Sequence, residues 1–206
     1  NVIRLEFEEP NKFFIGEDFD SYDSDFHKVL TLCPYTSDYL NSVQNIKRRQ
    51  PIFFPFNAKY LPRPTEKCFD VIYTGHLHPV PVRRDIKIIS KFDYRLVSNS
   101  KDPLVTNQSV DYETKLDLIS KSRVTLTHNL LYPTYKHVRN IWTYPSWRKN
   151  LAFSDVPCTQ FDFLKNKLLG LKIQVPQIKS RVFEAAFCRS LILCKWDKFN
   201  VIERFF

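Results

Sequence analysis

The sequence predicts an α/β protein built on a parallel sheet. Between residues 69 and 195, short apolar runs such as FDVIYT alternate with segments such as YETKLDLISKS, whose apolar residues recur at helical spacing. Strands that alternate with helices make βαβ units, and those units make parallel sheets. The third observation is negative. No internal repeat or low-complexity tract interrupts the alternation.

The elements follow in order. An acidic patch, GEDFDSYDSDF (16–26), precedes KVLTL (28–32), a short buried strand, and PYTSDYLN (34–41), a turn into a helix with Thr36 or Ser37 as N-cap. RRQPIFFPFNAKYLPRPTEK (48–67) holds four prolines and is expected to be a mostly extended linker. FDVIYTGHLHP is a strand ending at Gly75, a residue that lets backbone approach a ligand closely. VRRDIKIISKF spaces Ile86, Ile89 and Phe92 as one helical face, and DYRLVSN returns to strand. YETKLDLISKS (112–122) is a helix with Leu116 and Ile119 on one side. RVTLTHN (123–129) and SLILCK (190–195) are further strands. Residues 130–170, aromatic and irregular, form an insertion.

Composition narrows the partners. Of 206 residues, 43% are hydrophobic and 15% aromatic, enough for a ring-rich core. The formal charge of +9 and a pI near 9.3 favour anionic partners. Only short clusters, KRR (47–49) and RR (83–84), concentrate that charge. Nucleic-acid arms carry denser blocks, and the dispersed pattern suits a phosphate-binding pocket at least as well. Five cysteines without a C-x-x-C pair fit a reduced, cytoplasmic setting. No run reaches 18 apolar residues and no signal-peptide pattern opens the chain, so a soluble or membrane-peripheral protein is expected. The chain lacks an opening Met, which suggests processing or a longer parent.

The stretch PQIKSRVFEAAFCRSLILCKWD (176–197) carries the most chemistry. With Pro176 at the first helical position, Gln177 and Ile178 would expose free N–H groups at a positive helix end, a seat for diphosphate. Gln177, Ser180, Arg181 and Glu184 would share one face. Arg181 would pair with phosphate, and Glu184 would accept both hydroxyls of a ribose. Val182, Ala185 and Ala186 would meet the sheet. The competing interpretation is a solvated face with an Arg181–Glu184 pair.

Other positions are compatible with two roles each. Gly75 and His76 follow a strand whose C-terminal end would face ligand in a doubly wound fold, or they form an ordinary turn. His76 and His78 could share one side, but no third residue completes a metal set. His128 and Asn129 end their strand at a ligand-facing position or cap a chain reversal. Lys195 and Asp197 are expected in an exposed loop. YPTYKHVRNIWTYPSW interleaves rings and cations, as a base-stacking surface or as the core of an irregular lobe does. G-x-S-x-G, P-loop and H-E-x-x-H motifs are all missing, which removes several enzyme classes.

At this point the order of the pieces resembles a known family. VPQIKSRVFEAAFCRSLILCKWDKFNVIERFF is similar to the C-terminal signature of GT-B glycosyltransferases of the spore-maturation, family 1-like type, with its R-x-F-E-A block. FDVIYTGHLH resembles the first strand and glycine loop of their donor lobe, and DLISKSRVTLTHN a helix–strand pair within it. The likeness spans roughly 69–206, and VLTLCPYTSDYLN with IFFPFN resembles the end of an acceptor lobe and linker. It implies a GT-B-like architecture: a partial N-terminal lobe (1–62) and a Rossmann-type donor lobe (63–206).

The resemblance further implies an enzyme that transfers a sugar from a nucleotide-diphosphate sugar to a glycan, protein or small-molecule acceptor. It implies no cofactor and no metal. Glu184 would hold the ribose, and Arg181, Gln177 and Gly75 the diphosphate or sugar. His76, His128, Asn129 and Ser180 would be donor-site neighbours. A base for an inverting reaction would come from Asp18, Asp20, Asp23 or His27. Two departures stand out. Pro176 replaces the Glu that many retaining relatives carry eight residues before the ribose Glu, which leaves the product anomer open. Arg189 replaces a small residue and could narrow the pocket. The rival functions are a nucleic-acid binder using 132–149 and a sugar-nucleotide epimerase of the same fold.

Overall fold

The computed structural model describes residues 2–6, 25–34, 37–38, 41, 47–53, 56–77, 80–131, 175–196, 200 and 202–206. Asp18, Asp20, Asp23, Thr36, His78, Asp197 and the segment 132–149 lie outside the described residues. The chain divides into two compact units, one from 1–53, 129–178 and 197–206, the other from 54–128 and 179–196.

In the first unit three short strands, β1 (Ile3–Glu6), β2 (Lys28–Thr31) and β3 (Arg49–Pro51), pair in parallel in that order. Part of the expected linker is thus a sheet strand. Its Pro51 is tolerated because β3 is an edge strand of that sheet. Ser37 does not cap a helix: its N–H bonds the Cys33 carbonyl at 3.0 Å, inside a helical turn. A second small sheet pairs β8 (Leu130–Leu131) antiparallel with β9 (Val175–Pro176).

The second unit is the α/β body. Its strands are β4 (Phe69–Thr74), β5 (Tyr94–Ser98), β6 (Asn107–Gln108), β7 (Ser122–Thr127) and β10 (Leu191–Cys194). They run in the order β10-β7-β4-β5-β6, and every pair is parallel. Relabelled by occurrence in this unit, that is 5-4-1-2-3, an order compatible with a Rossmann-like fold. The order reverses between β4 and β7. In open α/β sheets ligands bind outside the strand C-termini at such a point.

Strand alternation sends side chains to two faces, and helices cover both. On one face Val71, Tyr73, Leu96 and Leu126 pack with Val82, Ile86 and Ile89 of α1 (Val80–Ile89). Each of those three helix residues gains about 1.5–3 kcal/mol from full burial. Phe92, expected on that face, lies past the helix end and is exposed. On the other face Ile72, Val97 and Phe69 meet Leu116 and Ile119 of α2 (Tyr112–Ser120) together with Cys188. Asp111 caps α2 by accepting the Thr114 N–H at 2.7 Å. Lys67 ties this face together: its Nζ donates to the Ser120 carbonyl at 2.7 Å and the Arg189 carbonyl at 2.9 Å. No helix among the described residues is long and apolar enough to cross a membrane.

The helix of the charged stretch is α3 (Ser180–Phe187), four residues later than its proline suggested. Pro176 is in β9, and the Gln177 N–H is not free because it donates to the Asn129 carbonyl at 2.8 Å. The helix ends in a Schellman motif. Ser190 N–H bonds the Ala185 carbonyl and Arg189 N–H the Ala186 carbonyl, each at 3.0 Å. Arg189 takes the left-handed position, φ 55°, that glycine normally fills. Replacing it by glycine should raise stability by about 0.5–1 kcal/mol, because relief of the strained backbone outweighs glycine's added chain entropy. The urea midpoint of Arg189→Gly against the parent checks this. A lower midpoint would mean that the arginine side chain itself contributes.

Candidate functional site

A cleft of about 220 Å³ opens at the C-terminal edge of the second unit's sheet. Thr74, Gly75 and His76 supply it from the end of β4, Ser98 and Asn99 from the end of β5. Lys115 of α2 and Ser180, Arg181 and Glu184 of α3 close it. Five of the eight donor-binding candidates therefore meet in one place: Gly75, His76, Ser180, Arg181 and Glu184.

Gly75 is required by its backbone, and it also lets Arg181 approach closely. Its φ of +132° is unfavourable for any L side chain. A β-carbon there would also collide with Arg181 Nη2 and lie 2.6 Å from Nη1 and 2.8 Å from Cζ. The guanidinium thus occupies the space of the missing side chain, with its Cζ 5.3 Å from the Tyr73 ring centroid. The Tyr73 hydroxyl in turn donates to the His76 carbonyl at 2.9 Å, fixing the loop. The Gly75 N–H is already committed to the Val97 carbonyl at 2.9 Å, so it is not a phosphate donor. Arg181 Nη1 is buried and has no hydrogen-bond partner, and no carboxylate among the described residues pairs with the group. The first-turn N–H groups of Ser180 and Arg181 also make no hydrogen bond among the described residues.

Glu184 overturns the solvated-face interpretation. It is only 2% exposed, and its partner is not Arg181 but Lys115, whose Nζ donates to Oε1 at 2.8 Å. Oε2 lacks a hydrogen-bond partner. The Tyr112 hydroxyl also lies near enough to interact with this carboxylate, so no more than one oxygen is left to a ligand hydroxyl, not the two expected. The charge is felt nearby. Burial first, and then Glu184, push the Tyr112 hydroxyl well above its ordinary pKa, and the same two causes push the Cys188 thiol up to about 12.

His128 ends β7 but does not line the cleft; it is 1% exposed, beneath the sheet edge. Its Nε2 lies 3.3 Å from Asp85 Oδ2 of α1, in a direction that misses hydrogen-bond geometry. Asp85 is instead held by Lys195, whose Nζ donates to the same oxygen at 2.9 Å. Lys195 is thus an ion-pair partner and not a loose loop residue. Burial holds the imidazole down at about 4, against the pull of Asp85 and with the push of Lys195, Lys179 and Arg181.

Asn129 and Gln177 belong to the first unit and do not line the cleft, and the buried Gln177 is spent on chain pairing. Exposed His27 lies in the first unit, its N–H bonded to the Val2 carbonyl. Arg189, at the far end of α3 from Ser180, does not narrow the cleft. Sequence reasoning missed Lys115, Ser98 and Asn99. The last two follow an apolar strand and could have been found by the strand-end rule, whereas no spacing links Lys115 to Glu184. Among the described residues no group of three or more His, Cys, Asp or Glu is placed to hold a metal ion. Comparison with protein-family models, curated proteins and solved structures finds no match.

Two outcomes follow from this geometry. Gly75→Ala should destabilise by about 1–3 kcal/mol through its backbone angle and the collision. In the Gly75→Ala/Arg181→Ala double variant only the backbone part should remain, so a stability cycle with zero coupling would remove the close-approach account. For His128, the folded pKa lies below the unfolded one, so the unfolded chain binds the proton first. Its stabilising effect is complete above pH 6.5 and is lost as pH falls toward 4. The loss amounts to roughly 3 kcal/mol. Urea unfolding of His128→Leu across that range should show a flatter acid limb than the parent; identical slopes would assign the limb elsewhere.

Proposed function

We propose that the chain is a GT-B-type glycosyltransferase whose second unit binds the diphosphate and ribose of a nucleotide-diphosphate sugar. The observation that carries this reading is Arg181. It is an unbalanced guanidinium with a buried, unpartnered nitrogen, seated on Gly75 at the head of α3 and at the C-terminal edge of a parallel sheet. The strand order that reverses between β4 and β7 supports it, because that reversal is where such sheets receive ligands.

The chemistry follows from the parts. Transfer of the sugar leaves charge on the departing diphosphate. Arg181 and the N–H groups of Ser180 and Arg181 would meet that charge in a partly dehydrated cleft. They need no reorganisation, since Tyr73 and Gly75 already hold the guanidinium. Glu184 Oε2 would accept one ribose hydroxyl while Lys115 keeps the carboxylate in place. At about 220 Å³ the cleft holds less than a typical ligand site, roughly 300–1,000 Å³. The base and the sugar would therefore extend beyond it.

Calorimetric titration of UDP, GDP and their common sugar conjugates tests the reading. Saturable binding is expected, weakened roughly 10–100-fold in Arg181→Gln and in Glu184→Ala, the range for a lost charged hydrogen bond. Slow release of free nucleoside diphosphate from the preferred donor should accompany it. Recovery of an isomerised donor would move the assignment to an epimerase. A folded protein that binds no nucleotide would end the transferase reading.

A further inference from the structure

At the N-terminal edge of the first unit's sheet, like charges are gathered. β2 and β3 run parallel, with Val29 paired to Arg49. Lys28 and Arg48, each one residue ahead of that pair, therefore lie side by side, and Lys47 precedes them. Like charges set beside each other across strands are destabilising. Together with Arg49 they line a cavity of about 690 Å³, whose remaining described lining is Asp38, Asn41 and Gln50. That volume falls within the range of small-ligand sites, roughly 300–1,000 Å³.

The segment that carries these cations is fixed. Asn41 spends its carboxamide on the backbone of Arg49: Nδ2 donates to the carbonyl at 2.8 Å, and Oδ1 accepts the N–H at 2.9 Å. The Arg48 carbonyl accepts the Val29 N–H at 3.1 Å, which ties the two strand starts together. Arg49 is buried in the wall, while Lys28 and Lys47 are exposed. Among the described lining residues the one carboxylate is Asp38, and it already accepts from Arg204 Nη1. Four cations thus share a concave wall whose described acidic group brings a cation of its own.

We propose that this cavity is an anion site of the first unit, taking a compact ligand with two or more phosphoryl groups. Lys28, Lys47 and Arg48 would hold it, with Arg49 adding charge from the wall. An arginine offers a planar donor fork that matches phosphoryl oxygens two at a time, and the lysines add point charges. A bound polyanion would offset the repulsion among the cations, which nothing else in the described lining does. The cations converge on one cavity from two neighbouring strand starts. A nucleic-acid strand needs charge laid out along a groove that tracks its backbone, so the compact ligand is favoured. Open α/β sheets take substrate at strand C-termini, and this site lies at the opposite edge of its sheet. It does not depend on the nucleotide reading of the second unit.

The test is calorimetric titration of inorganic tripolyphosphate into the full chain. Tripolyphosphate can also enter the cleft at Arg181, so the titration is made in Arg181→Gln as well as in the parent. Binding should persist in Arg181→Gln and weaken as salt is raised. Adding Lys47→Gln and Arg48→Gln to that background should weaken it roughly 10–100-fold, the range for lost charged hydrogen bonds. Lys28→Gln, on the neighbouring strand, should weaken it roughly tenfold and decides the matter if the other combination does not fold. Tripolyphosphate binding that vanishes in Arg181→Gln, or that the cavity substitutions leave unchanged, would overturn the inference. So would a single-stranded oligonucleotide that binds more tightly than tripolyphosphate and is released by the same substitutions, which would make the face a nucleic-acid surface. The nucleotide reading is scored separately, by the loss of UDP affinity in Arg181→Gln, so either can fail without the other.

Discussion

One close approach organises the second unit: the guanidinium of Arg181 lies where residue 75 would carry a side chain. The two residues are far apart in sequence, yet the guanidinium from the head of α3 comes to rest against the end of β4. It works only because Gly75 combines a positive φ with no β-carbon, so the strand can turn beneath the arginine instead of around it. Tyr73 then supports the cation with its ring and holds the turn with its hydroxyl. The position of the cation is therefore a property of backbone geometry before any ligand is considered.

Around that contact the ionisable groups sort into two kinds. Lys115 with Glu184, and Lys195 with Asp85, are compensated pairs reaching between elements. Removing one partner of the more buried Lys115–Glu184 pair would leave a charge without its counter-ion, a change that typically costs about 3–5 kcal/mol. Lys179 and Arg181 are uncompensated and face a helix dipole of their own sign. Folding tolerates the arrangement because buried apolar clusters fill both faces of the unit's sheet. The core supplies stability, and the sheet edge holds charge that stability alone would not select.

Much of this unit was legible in the sequence. FDVIYT, YRLV and VTLT are apolar enough to declare themselves as buried strands, and α1 and α2 show their faces through Val82, Ile86, Ile89, Leu116 and Ile119. LILC reads as a buried strand too, but β10 is an edge strand on which Leu191 and Leu193 are exposed. Gly75 and Arg181 could be singled out from local chemistry. What failed was whatever depended on a distant partner. Pro176 carries a helix-start signal, but pairing of Val175 and Pro176 with Leu130 and Leu131 claims it for a strand and delays the helix. Glu184 reads as solvated because periodicity cannot show that Lys115, 69 residues away, follows it into the interior. Ala186 and Arg189 illustrate the limit of motif reasoning at helix ends. The Schellman motif accepts an arginine where glycine is usual, since the backbone bonds around it hold the left-handed turn.

Lys67 gives α3 a mechanical character. Its ammonium bonds the carbonyls at the trailing ends of both α2 and α3, through Ser120 and Arg189, and so anchors them to the segment that leads into β4. The middle of α3 is held separately, because Glu184 takes the Lys115 ammonium at 2.8 Å and Val182, Phe183 and Ala185 are fully buried. A helix clamped at its trailing end and along its length presents its leading residues from a stiff base, so Arg181 projects from a platform that the core and two lysines fix.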